Sequence, residues 1–337
     1  MSYNVTLQPS GHQFCNEAHE TILEAGLKHG YTLPYSCRDG VCGACKGKVL
    51  CGEVDHGKSA SSALSPEDKA NGMALFCCAK PLSDITLSCR EVSNARDIPV
   101  KTLPCRVDSM EKPSEDVMII KLKLPANERL QFMAGQYIDI LLKDQKPRSF
   151  SLANAPHHDE RLELHIRNIA GGAFTHHVFN DMKTRDILRF KGPLGTFFLR
   201  EDSTRPIIMV ASGTGFAPIK AILEHALYIG VTRPIHFYWG ARKLSDLYML
   251  ELARTWESQG IRFTPVLSEP LPEDAWQGRT GFVHQAVLDD YADLSAHEVY
   301  ACGAPVVVEA AHRDFTTQRQ LSEDAFYSDA FTFVAKT

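Results

Sequence analysis

The chain has no run approaching 18 apolar residues, so it holds no candidate membrane-spanning helix. It has no basic tract either. Lys and Arg number 36 against 41 Asp and Glu, a net charge of -5, which argues against a nucleic-acid partner. The opening Met1-Ser-Tyr-Asn-Val-Thr-Leu-Gln-Pro-Ser10 lacks a basic segment followed by an apolar one, so no secretory signal is read. No internal repeat or low-complexity tract is present. Ten cysteines are too dilute over 337 residues to suggest a disulfide scaffold. A soluble, cytoplasmic protein is expected, without nucleic acid or membrane as partner.

What the chain does have is a concentrated cysteine pattern. Tyr35-Ser-Cys-Arg-Asp-Gly-Val-Cys-Gly-Ala-Cys-Lys46 places Cys37, Cys42 and Cys45 in the spacing C-x4-C-x2-C. That is the plant-type [2Fe-2S] spacing, whose fourth ligand comes from a distant cysteine. Leu75-Phe-Cys-Cys-Ala79 offers two candidates. Cys77 is favoured because it follows the apolar pair Leu75-Phe76 and precedes the turn at Pro81. Gly40 and Gly43 let backbone N–H groups approach the sulfurs without a Cβ in the way. The competing reading is zinc, which draws two C-x2-C pairs or a His pair, whereas Cys77 and Cys78 are adjacent. Buried inert thiols are the blander alternative. A one-electron cluster implies that the protein moves electrons.

At this length two or three domains are expected. Strands at 3–7 and 12–15, a helix at 21–28, a strand at 47–54, a short helix at 66–69 and a strand at 85–89 form a β-rich first unit. Pro99 to Pro104 reads as the linker. Short alternating strands follow at 105–109, 117–124, 137–142, 149–152, 162–169 and 187–191, with one helix at 173–181. This spacing suits a small antiparallel barrel. From 205 the pattern becomes strand, turn, helix. Strands at 206–211, 235–239, 263–267 and 299–302 alternate with helices through 227 and at 245–258, 281–290 and 305–319. That alternation predicts a parallel α/β sheet.

Three elements of the middle third fall in order. Arg148-Ser-Phe-Ser151 offers a cation for phosphate, an aromatic ring and a hydroxyl. Leu164-His-Ile-Arg167 puts His165 and Arg167 on one strand face. Gly171-Gly-Ala-Phe-Thr175 opens a helix whose free N–H groups attract phosphate, with Thr175 as a candidate cap. In the last third, Val210-Ala-Ser-Gly-Thr-Gly-Phe-Ala-Pro218 sits between a strand and a helix, as a phosphate-binding turn requires. It lacks the third glycine of the dinucleotide fingerprint. Tyr300-Ala-Cys-Gly-Ala-Pro305 ends the last strand of the sheet, so Cys302 is either a buried strand-end thiol or a group facing a ligand.

Taken together, these motifs resemble the ferredoxin–NADP reductase-like electron-transfer reductases with an N-terminal plant-type ferredoxin domain, and the likeness spans essentially the whole chain. It implies three domains: a β-grasp ferredoxin domain at 1–93, an antiparallel β-barrel FAD domain at 100–203 and a parallel α/β nicotinamide domain at 204–337. By the same resemblance Cys37, Cys42, Cys45 and Cys77 hold the cluster. Arg148 binds flavin phosphate, Phe150 packs on the isoalloxazine, and Ser151 approaches its N5. Many relatives carry Tyr at the position of Phe150. Gly171, Gly172 and Thr175 hold the pyrophosphate, with His165 and Arg167 nearby. Gly213, Thr214 and Pro218 line the nicotinamide cofactor site, with Cys302 and Gly303 beside the nicotinamide and Phe331 shielding the flavin. Ser151 and Cys302 stand nearest the chemistry. Gly240 and Arg242 follow the second strand, where a 2′-phosphate would lie, and the resemblance favours NADH over NADPH. Electrons then pass from NADH to FAD to the cluster and on to a protein acceptor docked at the ferredoxin face around Arg38, Asp39 and Val41. The acceptor implied is a dehydrase of deoxysugar synthesis, the alternative a Rieske-type or diiron aromatic-ring oxygenase.

Overall fold

The computed structural model describes residues 2–89, 91–92, 98–142 and 147–331. The expected first-domain end at residue 93 and the last six residues of the third domain lie outside them. The chain forms two compact units, Met1–Pro99 with Asp329–Thr337, and Val100–Ser328. Among the described residues no helix is long and apolar enough to cross a membrane.

In the first unit, alternation along Ser2–Gln8 buries Val5 and Leu7 and leaves their neighbours outward. This strand pairs antiparallel with Gln13–Glu17 and parallel with Ile85–Ser88. Lys46–Cys51 and Met73–Leu75 complete the five-stranded sheet. Helix Ile22–Lys28 begins at a reciprocal cap: the Thr21 hydroxyl accepts the Glu24 N–H, and the Glu24 carboxylate accepts the Thr21 N–H. Its Leu23 and Ala25 join Leu7, Phe76 and Leu87 in one core. A mixed sheet clasping one helix is the β-grasp arrangement.

The first half of the second unit is a single six-stranded sheet: Lys101–Ser114, Val117–Lys123, Tyr137–Ile140, Arg148–Ser151, Leu162–Arg167 and Ile187–Leu194. Its pairings are antiparallel. Arg148–Ser151 and Leu162–Arg167 are its two edges, and an antiparallel bridge between Leu152 and Leu164 joins them, closing the barrel. The linker expected over Pro99–Pro104 is corrected here, because the first barrel strand already begins at Lys101 and Pro104 stands opposite Arg189. Pro104 is exposed near the start of the strand, where one missing donor is tolerated.

The second half holds five strands in parallel register: Ile207–Ser212, Ile235–Ala241, Ile261–Leu267, Arg279–Thr280 and Glu298–Gly303. The chain runs outward from Ile207–Ser212 through the next three strands, then returns to place Glu298–Gly303 on its other side. A crevice therefore opens between the carboxyl ends of Ile207–Ser212 and Glu298–Gly303, the switch point at which such sheets bind ligands. Phe326–Ala330, which sequence reading missed, is an edge strand of this sheet. The single helix expected over 245–258 is corrected as well. It is broken into a 3-10 turn at Leu244–Asp246, a helix at Leu250–Thr255 and a 3-10 turn at Trp256–Gln259.

Candidate functional site

The cysteine loop is built from tight backbone. Arg38, Gly40 and Gly43 all have positive φ, at 64°, 74° and 75°. At Gly40 the need for glycine is doubled, because a Cβ there would stand 2.5 Å from the Cys78 sulfur. The fourth thiol arrives through sheet pairing. Lys46 faces Leu75 in register, and the Phe76 N–H donates to the Cys45 carbonyl at 3.1 Å. Phe76 is fully buried, which anchors the segment carrying Cys77. Truncating such a ring costs about 3–5 kcal/mol.

The four thiols interact as two pairs, Cys37 with Cys42 and Cys45 with Cys77. Two pairs of soft sulfur donors suit two irons with two thiolates each, and so fit a [2Fe-2S] cluster better than a mononuclear zinc. Backbone N–H groups already aim at the sulfurs. The Asp39 N–H reaches Cys37 Sγ at 3.4 Å, and those of Val41 and Cys42 join it. The hydrogen bond from Cys42 and these N–H groups bring the Cys37 thiol down to about 6, while the shared proton and burial push Cys42 up. Such donors stabilise sulfur that carries negative charge. Cys78 lies beside this set, its sulfur 3.7 Å from that of Cys77. Arg38 and Asp39 are exposed and Val41 is half-buried at the same loop.

In the barrel, Arg148–Ser151 and the helix Ala173–Asn180 are brought together. The Phe150 and Phe174 rings lie 5.5 Å apart. Ser151 is buried, and Arg148 Nη1 donates to the Pro147 carbonyl at 3.1 Å. The expected cap by Thr175 is corrected: the N-cap is Gly172, and no side chain caps the helix. The Thr175 hydroxyl turns back to the carbonyls of Ile169 and Gly172 at 3.2 and 3.1 Å, fastening the turn. The first-turn N–H groups thus lack a side-chain acceptor. Gly171, at φ 74°, has nothing within 4 Å of where a Cβ would stand. An open, uncapped helix start suits a pyrophosphate.

At the crevice of the parallel sheet, Gly213–Gly215 forms a 3-10 turn that leads into the helix Phe216–Tyr228. A Cβ on Gly215 would stand 2.2 Å from the Cys302 carbonyl oxygen, and one on Gly303 would stand 2.3 Å from Ser212 Oγ. Ser212 Oγ in turn accepts the Ala304 N–H at 2.8 Å. Thr214, Pro218 and Cys302 are buried. The Trp239 indole donates to the Gly213 carbonyl at 3.0 Å and stacks on Phe216 at 4.0 Å. At Gly240 a Cβ would meet Val283 at 2.6 Å. Arg242 is 62% exposed, with Asp246 at 3.8 Å from its Nε. Phe331 is half-buried and belongs to the first compact unit.

His165 and Arg167 take different partners. Arg167 donates to Asp116 at 2.8 Å, and its Nη1 is 3.2 Å from where a Gly213 Cβ would stand. His165 has a fully buried side chain, held by the Tyr248 hydroxyl at 2.8 Å and Glu163 at 3.0 Å. Burial keeps its imidazole below the usual range. Glu163 also meets Lys220 at 3.2 Å. Lys220 Nζ is nearly buried and donates to the Ala153 carbonyl at 3.0 Å and to Glu224 at 3.1 Å. Burial alone would raise the Glu163 carboxyl, but the His165 hydrogen bond and the Lys220 charge outweigh it and hold it at about 2. This network ties the strand end just past Ser151 to the helix that starts at Phe216. Sequence reading missed Glu163, Lys220 and Tyr248. A lysine inside the apolar run Phe216-Ala-Pro-Ile-Lys-Ala-Ile222 was the available signal.

Residues 5–82 match the family described as 2Fe-2S iron-sulfur cluster binding domain. Residues 104–199 match the oxidoreductase FAD-binding domain, and residues 209–313 the oxidoreductase NAD-binding domain. The chain is 43% identical over 333 residues to the CDP-6-deoxy-L-threo-D-glycero-4-hexulose-3-dehydrase reductase of Yersinia pseudotuberculosis, covering 98% of this chain and 99% of that one. It is 33% identical over 339 residues to the reductase component of phenol 2-monooxygenase of Pseudomonas sp. strain CF600, covering 98% and 95%. Among solved structures, the Amycolatopsis cytochrome P450 reductase GcoB superposes with a TM-score of 0.76 at 34% identity, over 99% of this chain and 100% of that one. The motif order, the three folds and these relatives agree: the chain belongs to the ferredoxin reductase-like iron–sulfur flavoprotein oxidoreductases, with a 2Fe-2S domain ahead of FAD- and NAD-binding domains.

Proposed function

We propose that this chain is the NADH-dependent reductase of a CDP-deoxyhexulose dehydrase, working in the cytoplasm. The observation that carries this reading is the 43% identity, over nearly the full length of both chains, to the reductase named for that dehydrase. When bound, FAD divides the electron pair of a nicotinamide into single electrons that a [2Fe-2S] cluster can pass on.

The chain's own residues supply the binding and the orientation. Cys37, Cys42, Cys45 and Cys77 hold the cluster. Arg148 and the helix start at Gly171, Gly172 and Thr175 take the flavin phosphates, Phe150 lies against the ring, and Ser151 offers its hydroxyl at the reactive edge. Gly213, Thr214 and Pro218 shape the turn for the nicotinamide nucleotide. Cys302 and Gly303 form the opposite wall of that crevice, and the burial of Cys302 keeps water from it. Gly240 and Arg242 flank the adenosine end. The exposed Arg38 and Asp39, with Val41, form the surface at which the acceptor docks.

The test is anaerobic reconstitution of the holoprotein with purified dehydrase, its CDP-sugar substrate and NADH. Sugar-dependent NADH consumption is expected. A second reading, reductase component of an aromatic oxygenase, is favoured by the 33% identity to the phenol 2-monooxygenase reductase component. NADH oxidation coupled to an oxygenase component and oxygen, with none coupled to the dehydrase, would establish that reading instead.

A further inference from the structure

Five thiols, not four, gather at the cysteine loop. Cys78 Sγ lies 3.7 Å from Cys77 Sγ, within hydrogen-bonding range for sulfur. Its position is fixed from two sides. The Cys78 and Ala79 N–H groups both donate to the Leu75 carbonyl, at 2.9 and 2.8 Å, so the backbone carrying the pair is pinned. On the other side the sulfur presses on Gly40, inside the ligand loop itself, where a Cβ would be 2.5 Å away. A third contact closes the pocket: a Cβ on Gly57 would stand 2.6 Å from the Cys78 carbonyl oxygen. The chain therefore holds a sulfur in contact with the proposed ligand sulfur, with glycine at 40 making room for the sulfur and glycine at 57 for the backbone that carries it.

A sulfur bound to iron carries no proton. If Cys77 is the ligand, its sulfur has no proton to give, and an S–H donor in this 3.7 Å contact can come only from Cys78. A hydrogen bond to a ligating sulfur withdraws electron density and favours the form of the cluster with one more negative charge. We propose that Cys78 is this donor, a positioning residue that raises the reduction potential of the cluster and so eases its loading from a nicotinamide-fed flavin. The inference rests on the reading of Cys77 as fourth ligand. The redox step adds one electron to the cluster and makes or breaks no bond, and the proton stays on Cys78 throughout.

The experiment uses the full-length holoprotein with Cys78→Ala, Cys78→Ser and Cys77→Ala variants. Iron and acid-labile sulfide are counted, and the midpoint potential is followed by the electron paramagnetic resonance of the reduced cluster. Cys78→Ala is expected to keep a full cluster while its reduction equilibrium falls about three- to tenfold, ~30–60 mV at 59 mV per decade for one electron. Cys78→Ser retains a donor and is expected to hold or exceed the wild-type potential. A full cluster at unchanged potential in Cys78→Ala overturns the inference and leaves the ligand reading standing. Loss of iron in Cys78→Ala with retention in Cys77→Ala overturns the ligand reading itself. If Cys78→Ala is not recovered folded, Cys78→Ser decides alone, and a fall in its potential counts against the donor role.

Discussion

Gly215 and Cys302 touch through their backbones: a Cβ added to Gly215 would stand 2.2 Å from the Cys302 carbonyl oxygen. The turn that starts one strand's helix and the end of the neighbouring strand are thus set against each other with no side chain between them. The width of the ligand crevice is fixed by this absence.

Gly215→Ala is accordingly expected to push the Gly213–Gly215 turn away from Cys302. Displacement of a binding element by about 1 Å costs up to 10²-fold. Steady-state kinetics with NADH and an artificial electron acceptor should show kcat/KM lowered at least tenfold, while flavin content per chain stays at the wild-type value. An unchanged kcat/KM would mean that this turn does not line the nicotinamide site.

Lys220→Met leaves the largely buried Glu163 charged, with only the more exposed Lys121, 3.7 Å away, as a remaining cation. Breaking one side of a buried pair costs about 3–5 kcal/mol, whereas removing both partners costs much less. All three tryptophans, Trp239, Trp256 and Trp276, lie in the last domain, so their fluorescence reports that domain during urea unfolding. The single variant is expected to unfold at lower urea, and Lys220→Met with Glu163→Gln to recover part of the loss. Additive effects would argue against a direct pairing.

The same carboxylate predicts an acid profile. Its folded value, about 2, lies below the ordinary 4.5, so folding is favoured by the charged form. The contribution is complete above 4.5 and fades as pH falls toward 2, an amount on the order of 3 kcal/mol. Glu163→Gln should lack that share of the acid dependence. Parallel wild-type and variant stability curves between pH 5 and pH 2.5 would contradict it.

Cys45→Ser should separate the two halves of the electron path. NADH should still bleach the flavin at the wild-type rate, while reduction of a one-electron protein acceptor falls to background. Unaltered acceptor reduction would place the exit of electrons elsewhere than at the cluster.

Arg242 sits at the end of the second parallel strand with Asp246 3.8 Å away. An acidic neighbour blunts an arginine that could otherwise bind a 2′-phosphate. Asp246→Ala is expected to improve kcat/KM for NADPH about two- to fivefold, the scale of an exposed ion pair, with NADH little affected. Equal changes for both nucleotides would detach Arg242 from cofactor choice.

Much of this was legible because it is local. Cys37, Cys42 and Cys45 lie on one loop, so their spacing alone points to the proposed cluster site. The glycines at 171, 172, 213 and 215 mark turns whose shape depends on the residues themselves. Where partners are remote, reading failed. The alternation of Leu164-His-Ile-Arg167 put His165 and Arg167 on one face, yet the Tyr248 that takes His165 comes 83 residues later. Pro104 looked like a linker boundary because proline usually stops a strand, but an exposed position near the strand's start absorbs the loss. The edge strand Phe326–Ala330 had no pattern to announce it, since only Asp329 and Ala330 in it are buried.

The register between Lys46–Cys51 and Met73–Leu75 reaches beyond sheet geometry. Lys46 opposite Leu75 is what brings Cys77 to Cys45. A slip of one residue would turn the side chains of that strand to the other face and present Cys78 instead. With the proposed ligands, a cluster joining Cys45 to Cys77 would also act as a crosslink, fastening these two strands across the helix Pro66–Ala70 that lies between them in the chain.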